Sequence, residues 1–186
     1  MVSELTVLIP CRNEAVALPH LLNDLQSQSH AVHVVVIDDA STDGTRHAAE
    51  AAGVTCIPAV GSGKKAALAT GFKHVQTPWF ATVDADVRLG VDWAQSLLAT
   101  AVRENAACVL GGVVVDAAPL TAWHRFQRLE FAVMQTWIAG GVETGRLAMG
   151  SGANSLYATA HYPVDALQPE WASGDDAFAL LALRQA

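Results

Sequence analysis

Short apolar runs rich in β-branched residues alternate, through the first half of the chain, with longer stretches where leucine and alanine return every three or four positions. Leu5-Thr6-Val7-Leu8-Ile9, Val32-His33-Val34-Val35-Val36-Ile37 and Trp79-Phe80-Ala81-Thr82-Val83 are runs of the first kind. Their near-continuous hydrophobicity predicts strands buried on both faces of a parallel sheet. The second kind predicts helices at about Ala17 to Gln28, where Leu18, Leu21, Leu22 and Leu25 share a face, at Thr42 to Ala52 and at Lys64 to Val75. Such alternation implies an α/β fold with right-handed crossovers, and ligands are expected beyond the carboxyl ends of the strands. A further strand is expected at Ala107 to Val115, a long helix from Leu120 to Ile138, and then a glycine-rich stretch from Met149 to Asn154. The clean alternation is gone by then, so the second half is expected to cover the open side of the sheet. The closing residues Asp175 to Ala186 read as a helix that starts with acids and ends without a glycine stop, as in a chain cut from a longer protein.

Composition narrows the field. With 186 residues, 52% of them hydrophobic and 16% charged, the chain fits one globular domain rather than a disordered segment. A formal net charge of -7 argues against nucleic acid or an anionic membrane surface as an electrostatic partner, so a bound anion must be met locally. Cys11, Cys56 and Cys108 are odd in number and too far apart for a C-x-x-C site, which predicts free thiols in a reducing compartment. Met1-Val2-Ser3-Glu4 lacks the basic start of a signal peptide, and the longest uncharged apolar run, Phe131 to Val142, is 12 residues against the about 20 that span a bilayer. A cytoplasmic protein is expected, with membrane association only through segments absent from this chain.

Chemistry collects after the strands. The first is followed by Pro10-Cys11-Arg12-Asn13-Glu14, the second by Asp38-Asp39, and the third by Asp84-Ala85-Asp86. In an extended segment Asp84 and Asp86 point the same way and can both approach one divalent cation; carboxylates suit Mg²⁺ or Mn²⁺, which are commonly completed by substrate phosphates. A D-x-D alone can equally be a pair of solvated loop carboxylates. A haloacid-type phosphatase is excluded because Arg88 stands where its motif needs Thr or Val, and a P-loop because Pro58 and Lys65 stand where it needs Gly and Ser or Thr. There is no G-x-G-x-x-G after the first strand, so a dinucleotide reading lacks its phosphate loop, and no H-E-x-x-H or G-x-S-x-G, which leaves zinc and hydrolase readings little support.

The ordered set that remains resembles the family-2 glycosyltransferases of the GT-A fold over nearly the whole chain. It comprises Ile9-Pro10-Cys11-Arg12-Asn13-Glu14, the block Asp38-Asp39-Ala40-Ser41-Thr42-Asp43-Gly44-Thr45, Gly63-Lys64-Lys65, then Asp84-Ala85-Asp86 about forty residues on, Gly152-Ala153-Asn154 and Ser173-Gly174-Asp175-Asp176. The resemblance implies a mostly parallel, Rossmann-like sheet flanked by helices. Residues 1–115 would form the nucleotide-sugar half and 116–186 the acceptor half of a single catalytic domain. It implies a nucleoside, UDP by expectation, cradled by Pro10, Arg12, Glu14, Asp38 and Asp39. Lys64 would lie near the donor, and Asp84, Ala85 and Asp86 would hold metal and diphosphate. Gly152 and Asn154 would approach donor sugar or acceptor, although a bare turn explains the glycine equally well.

Asp176 matches the second acid of the family's E-D motif, the general base, with Asp175 in place of the usual glutamate. Both also suit the first turn of a helix by its dipole. The implied reaction is inverting transfer of a sugar to a hydroxyl on a saccharide or lipid-linked acceptor, in cell-envelope polysaccharide chemistry at the inner face of the membrane. Lys65 stands where glycine is more usual in the family. Ser41 to Thr45 reads chiefly as turn and helix cap. The competing readings are a nucleotidyltransferase that makes nucleotide sugars, for whose Gly- and Arg-rich loop only Arg12 is present, and a non-catalytic nucleotide-sugar-binding domain.

Overall fold

The structure is a computed structural model that describes residues 3–116, 121–166 and 175–185, without the side chains of residues 166, 175, 176 and 185. A six-stranded sheet in the order β3-β2-β1-β4-β6-β5 forms its centre. β1 (Leu5–Cys11) pairs in parallel with both β2 (His33–Asp38) and β4 (Trp79–Val83), and β2 pairs in parallel with β3 (Thr55–Pro58). The sequence reading had no β3; its four residues are at most half-buried, so it lacks the continuous apolar signature of its neighbours.

Alternation along the strands sorts the core into two layers. Leu5, Val7, Ile9 and Cys11 of β1 join Val36 in one cluster, with α1 (Leu18–Gln26), α2 (Thr45–Ala51) and α4 (Trp93–Glu104) packed on that side. Leu8, Val35 and Ile37 face the opposite side, against Ala67 and Leu68 of α3 (Lys64–Phe72) and Leu180 of α6 (Asp175–Gln185). α3 lies so close to the sheet that a Cβ on Gly71 would come within 2.7 Å of Ile37 Cδ1. The crossovers through α1 and α2 therefore run over one face and α3 returns over the other. Strand order reverses between β1 and β4, the position at which open α/β sheets form their ligand crevice.

Beyond β4 the expectations need correction. The expected strand Ala107 to Val115 shortens to β5 (Cys108–Leu110), ended by Gly111-Gly112, and Val113 to Val115 turn instead to a cavity wall. The long helix α5 runs from Ala122 to Glu143; Leu120, its expected start, is outside the described residues. The second half also does more than cover the sheet. β6 (Asn154–Ala158) wedges into it, antiparallel to both β4 and β5. Among the described residues no helix is long and apolar enough to cross a membrane.

Candidate active site

The loop after β1 is locked by the block after β2. Asn13 sits in the left-handed region at φ 58. Its backbone N–H donates to Ser41 Oγ at 3.0 Å, and its Oδ1 accepts from the Thr42 N–H at 2.8 Å. The Glu14 N–H donates to Thr45 Oγ1 at 2.7 Å and the Ala15 N–H to Asp43 Oδ2 at 3.1 Å. Asp43 Oδ1 in turn accepts from the Thr45 N–H at 2.9 Å, so the expected turn-and-cap segment is also a clamp on the first loop. Asp38 is buried and accepts from the Ser41 N–H at 3.1 Å. Asp39, equally buried, accepts from the Gly63 N–H at 2.9 Å and meets Arg12 at 3.7 Å. The two aspartates thus differ in work: Asp38 shapes its own turn, while Asp39 ties the β1 and β2 ends to the start of α3.

Gly61 and Gly63 lie at φ 100 and 89, where a side chain would be strained, and they turn the chain into α3. This turn delivers Lys64, whose Nζ lies 2.5 Å from Asp84 Oδ1. β4 ends at Val83, and a turn closed by the Val87 N–H on the Asp84 carbonyl at 3.4 Å follows. Asp84 and Asp86 are therefore not on an extended segment as expected; the turn buries Ala85 and leaves both carboxylates on the wall of one cavity of about 700 Å³. Their surroundings are negative. Burial first, then Asp86, Asp43 and Asp84, push the Glu14 carboxyl above its usual range.

The far wall of that cavity comes from the second half of the chain: Ser151 and Ala153 before β6, Asn154 at its start, and Arg128 and Phe131 of α5. Asn154 Oδ1 accepts from Trp93 Nε1 at 2.8 Å and its Nδ2 donates to the Gly112 carbonyl at 3.0 Å, which pins the β5 exit to α4. The Gly152 carbonyl accepts from Thr82 Oγ1 at 3.2 Å. Arg88 leaves the cavity rim to make two bonds to the buried Asp24, at 2.7 and 2.9 Å, fixing the loop after the D-x-D to α1. Asp175 and Asp176 open α6, but their side chains, like Ser173 and Gly174, are outside the described residues. One turn on, Phe178 lies under the buried Lys65, with Nζ 4.6 Å from the ring centroid. The atypical lysine thus holds the acid-bearing helix to α3.

No group of three or more His, Cys, Asp or Glu suited to a metal occurs among the described residues. The Asp84 and Asp86 carboxylates still fit a hard divalent cation whose remaining ligands are phosphates and water, and the negative field on Glu14 is one such an ion would offset. The thiols fit no such role: burial raises Cys11, and pushes Cys108 up to about 12.

The family model described as glycosyl transferase family 2 matches residues 6–162. The chain belongs to that family. It is 39% identical over 89 residues, 45% of this chain, to the 4,4'-diaponeurosporenoate glycosyltransferase of Staphylococcus aureus, of which the match covers 24%. Solved structures share the GT-A fold. S. aureus TarS 1-349 superposes with TM-score 0.66 at 16% identity, over 97% of this chain and 55% of that one. A Pyrobaculum calidifontis mannosyltransferase in complex with GDP-Man and Mn²⁺ gives 0.67 at 20%, over 94% and 50%. The glucosyl-3-phosphoglycerate synthase of Mycobacterium tuberculosis in complex with UDP gives 0.63 at 17%, over 86% and 58%. The chain spans about a quarter of the curated relatives it matches and about half of these solved chains. Two contributors to this family-2 site escaped the sequence reading. The clamp residues carry no chemistry of their own. Arg128 belongs to no motif; it reaches the cavity wall one turn before Phe131 on α5.

Proposed function

We propose that the chain transfers a sugar from a nucleotide diphospho-sugar, a UDP-sugar, to an acceptor hydroxyl with inversion at the anomeric carbon. The observation that carries this reading is the meeting of Glu14, Lys64, Asp84 and Asp86 where strand order reverses between β1 and β4. TarS has been solved with UDP and with UDP-GlcNAc, and the mycobacterial synthase with Mn²⁺, UDP and glucosyl-3-phosphoglycerate.

In this reading Pro10, Arg12, Glu14 and Asp39 border the nucleoside, with Asp38 holding the turn beneath it. Asp84 and Asp86 hold Mn²⁺ or Mg²⁺, which when bound offsets the charge of the departing diphosphate. Lys64, and Arg128 across the cavity, offer further positive charge to the same phosphates. The acceptor oxygen bonds to the anomeric carbon as the carbon–oxygen bond to the diphosphate breaks, and its proton passes to the Asp176 carboxylate, with Asp175 beside it. Asn154 edges the sugar pocket, and Gly152 lies buried behind it. Residues 1–115 serve the donor and 116–186 the acceptor, and the protein works in the cytoplasm at the inner face of the membrane.

The test is incubation with UDP-sugars and Mn²⁺ followed by assay of free UDP, alongside thermal shift with UDP and Mn²⁺. A stabilisation lost in Asp84→Ala and Asp86→Ala is expected, because a ligand of the folded state raises its stability by mass action. Asp176→Asn should abolish transfer and keep that stabilisation. Equal shifts in the protein and both alanine variants would overturn the metal assignment. Transfer by Asp176→Asn within about tenfold of the parent, a barrier change of ~1.4 kcal/mol, would overturn the base.

A further inference from the structure

A second cavity, of about 640 Å³, lies between α4, the side of β5 turned away from β6 and the inner side of α5. Its volume is in the range of small-molecule sites, roughly 300–1,000 Å³. Val109, Leu110, Ile138, Ala139 and Val142 give it an apolar lining. It shares Gly112 and Ser151 with the cavity that holds Asp84 and Asp86, so the two adjoin. At its other end it shares Thr136 with an outer groove formed by Ala132, Val133 and Trp137. Thr136 Oγ1 donates to the Ala132 carbonyl at 2.8 Å, so the hydroxyl on this path is spent within the helix.

A mostly apolar cavity therefore lies beneath α5, between the acidic site and the outer groove. The surface it reaches is apolar too: Trp123, Phe126, Leu129, Val133 and Trp137 are all more than half exposed, along one side of the same helix. Thr100, Glu104, Gln135, Glu143 and Ser151 bring polar atoms to its rim, but the greater part of its wall is apolar and gives a saccharide acceptor nothing to bond. Glu104 and Glu143, which also line the cavity, disfavour an anionic occupant. What fits is an uncharged hydrocarbon chain with a polar group at one end.

We infer that this cavity binds the hydrocarbon chain of an amphiphilic acceptor, which enters beside Thr136 and presents its polar end at the Gly112–Ser151 opening to Asp84 and Asp86. The inference rests on the transferase reading, whose acceptor class it names. A chain bound by burial is recognised by length, because each fully buried methylene contributes about 0.8 kcal/mol, or about fourfold in affinity. A saccharide subsite would not distinguish primary alcohols in this way.

The experiment is calorimetric titration of the protein with hexanol, octanol and decanol, with UDP and Mn²⁺ titrated separately. Affinity should rise by about an order of magnitude with each added pair of carbons that is buried. Ala139→Trp, which fills the cavity from an exposed helix position, should lower decanol affinity at least tenfold, whereas Ala122→Trp, on the same helix outside the cavity, should not. UDP binding should be the same in all three proteins. Length-independent binding, or equal decanol affinity in Ala139→Trp and the parent, overturns the inference. Loss of UDP binding in the parent instead overturns the donor reading and leaves the chain-length result standing.

Discussion

Asp43 is exposed, yet its carboxylate accepts bonds from Ala15 and Thr45 and so fixes a loop that starts thirty residues earlier in the chain. Asp43→Ala should weaken UDP binding several-fold in a titration without touching Asp84 or Asp86, and Asp43→Asn, which keeps one acceptor oxygen, should recover part of the loss. Asp24 acts on stability instead. Its hydrogen bonds from Arg88, supported by one from the Leu89 N–H at 3.0 Å, hold its carboxyl below the usual range. A lowered folded-state pKa stabilises above the unfolded value of about 3.9, and that contribution fades as pH falls through the folded value. Asp24→Asn should lose about 2 kcal/mol near neutrality, and its Tm should fall less than that of the parent between pH 5 and pH 3. Residue by residue, sequence marks the groups whose motif is local, such as Asp84-Ala85-Asp86. It does not mark the clamp, because Asn13 and Thr42 are brought together only by the pairing of β1 with β2.

At the scale of elements, α3 shows how a helix is aimed. Its N-terminus carries Lys64 to Asp84, and its distance from the sheet is set by the absence of a side chain at Gly71. Gly71→Ala should push α3 off Ile37 and Leu8, cost about 1–3 kcal/mol and weaken UDP binding at the same time. Gly140→Ala in α5 meets nothing within 4 Å; there alanine should add about 0.5–1 kcal/mol, because glycine loses more backbone freedom in a helix. Urea denaturation of the two variants checks the opposite signs. β1, β2 and β4 were legible because strands buried on both faces advertise themselves. β6 was not, since only Leu156 and Tyr157 in it are large and apolar and its burial comes from the strands on either side. α4 had a readable pattern, with Ala94, Leu97, Leu98 and Ala101 buried at helical spacing, yet no helix was expected there.

For the whole molecule, the sheet order places a late piece of chain in an early position. β3-β2-β1-β4 is complete once Val83 has been made, by three successive crossovers. Among the described residues β5 pairs only with β6, so it must wait for residues 154–158. Until then the outer side of β4 is an unpaired row of N–H and C=O groups, the kind of edge that recruits other strands. Refolding should therefore pass through a stage in which amides of Val35 and Val36 are already protected from exchange while those of Leu156 and Val109 are not. Pulse-labelled hydrogen exchange would resolve that order, and simultaneous protection of both sets would contradict it. During synthesis the same geometry sets a period of exposure: more than seventy residues separate the end of β4 from the end of β6. At about 5–20 residues per second, the nascent chain carries that open edge for several seconds or more.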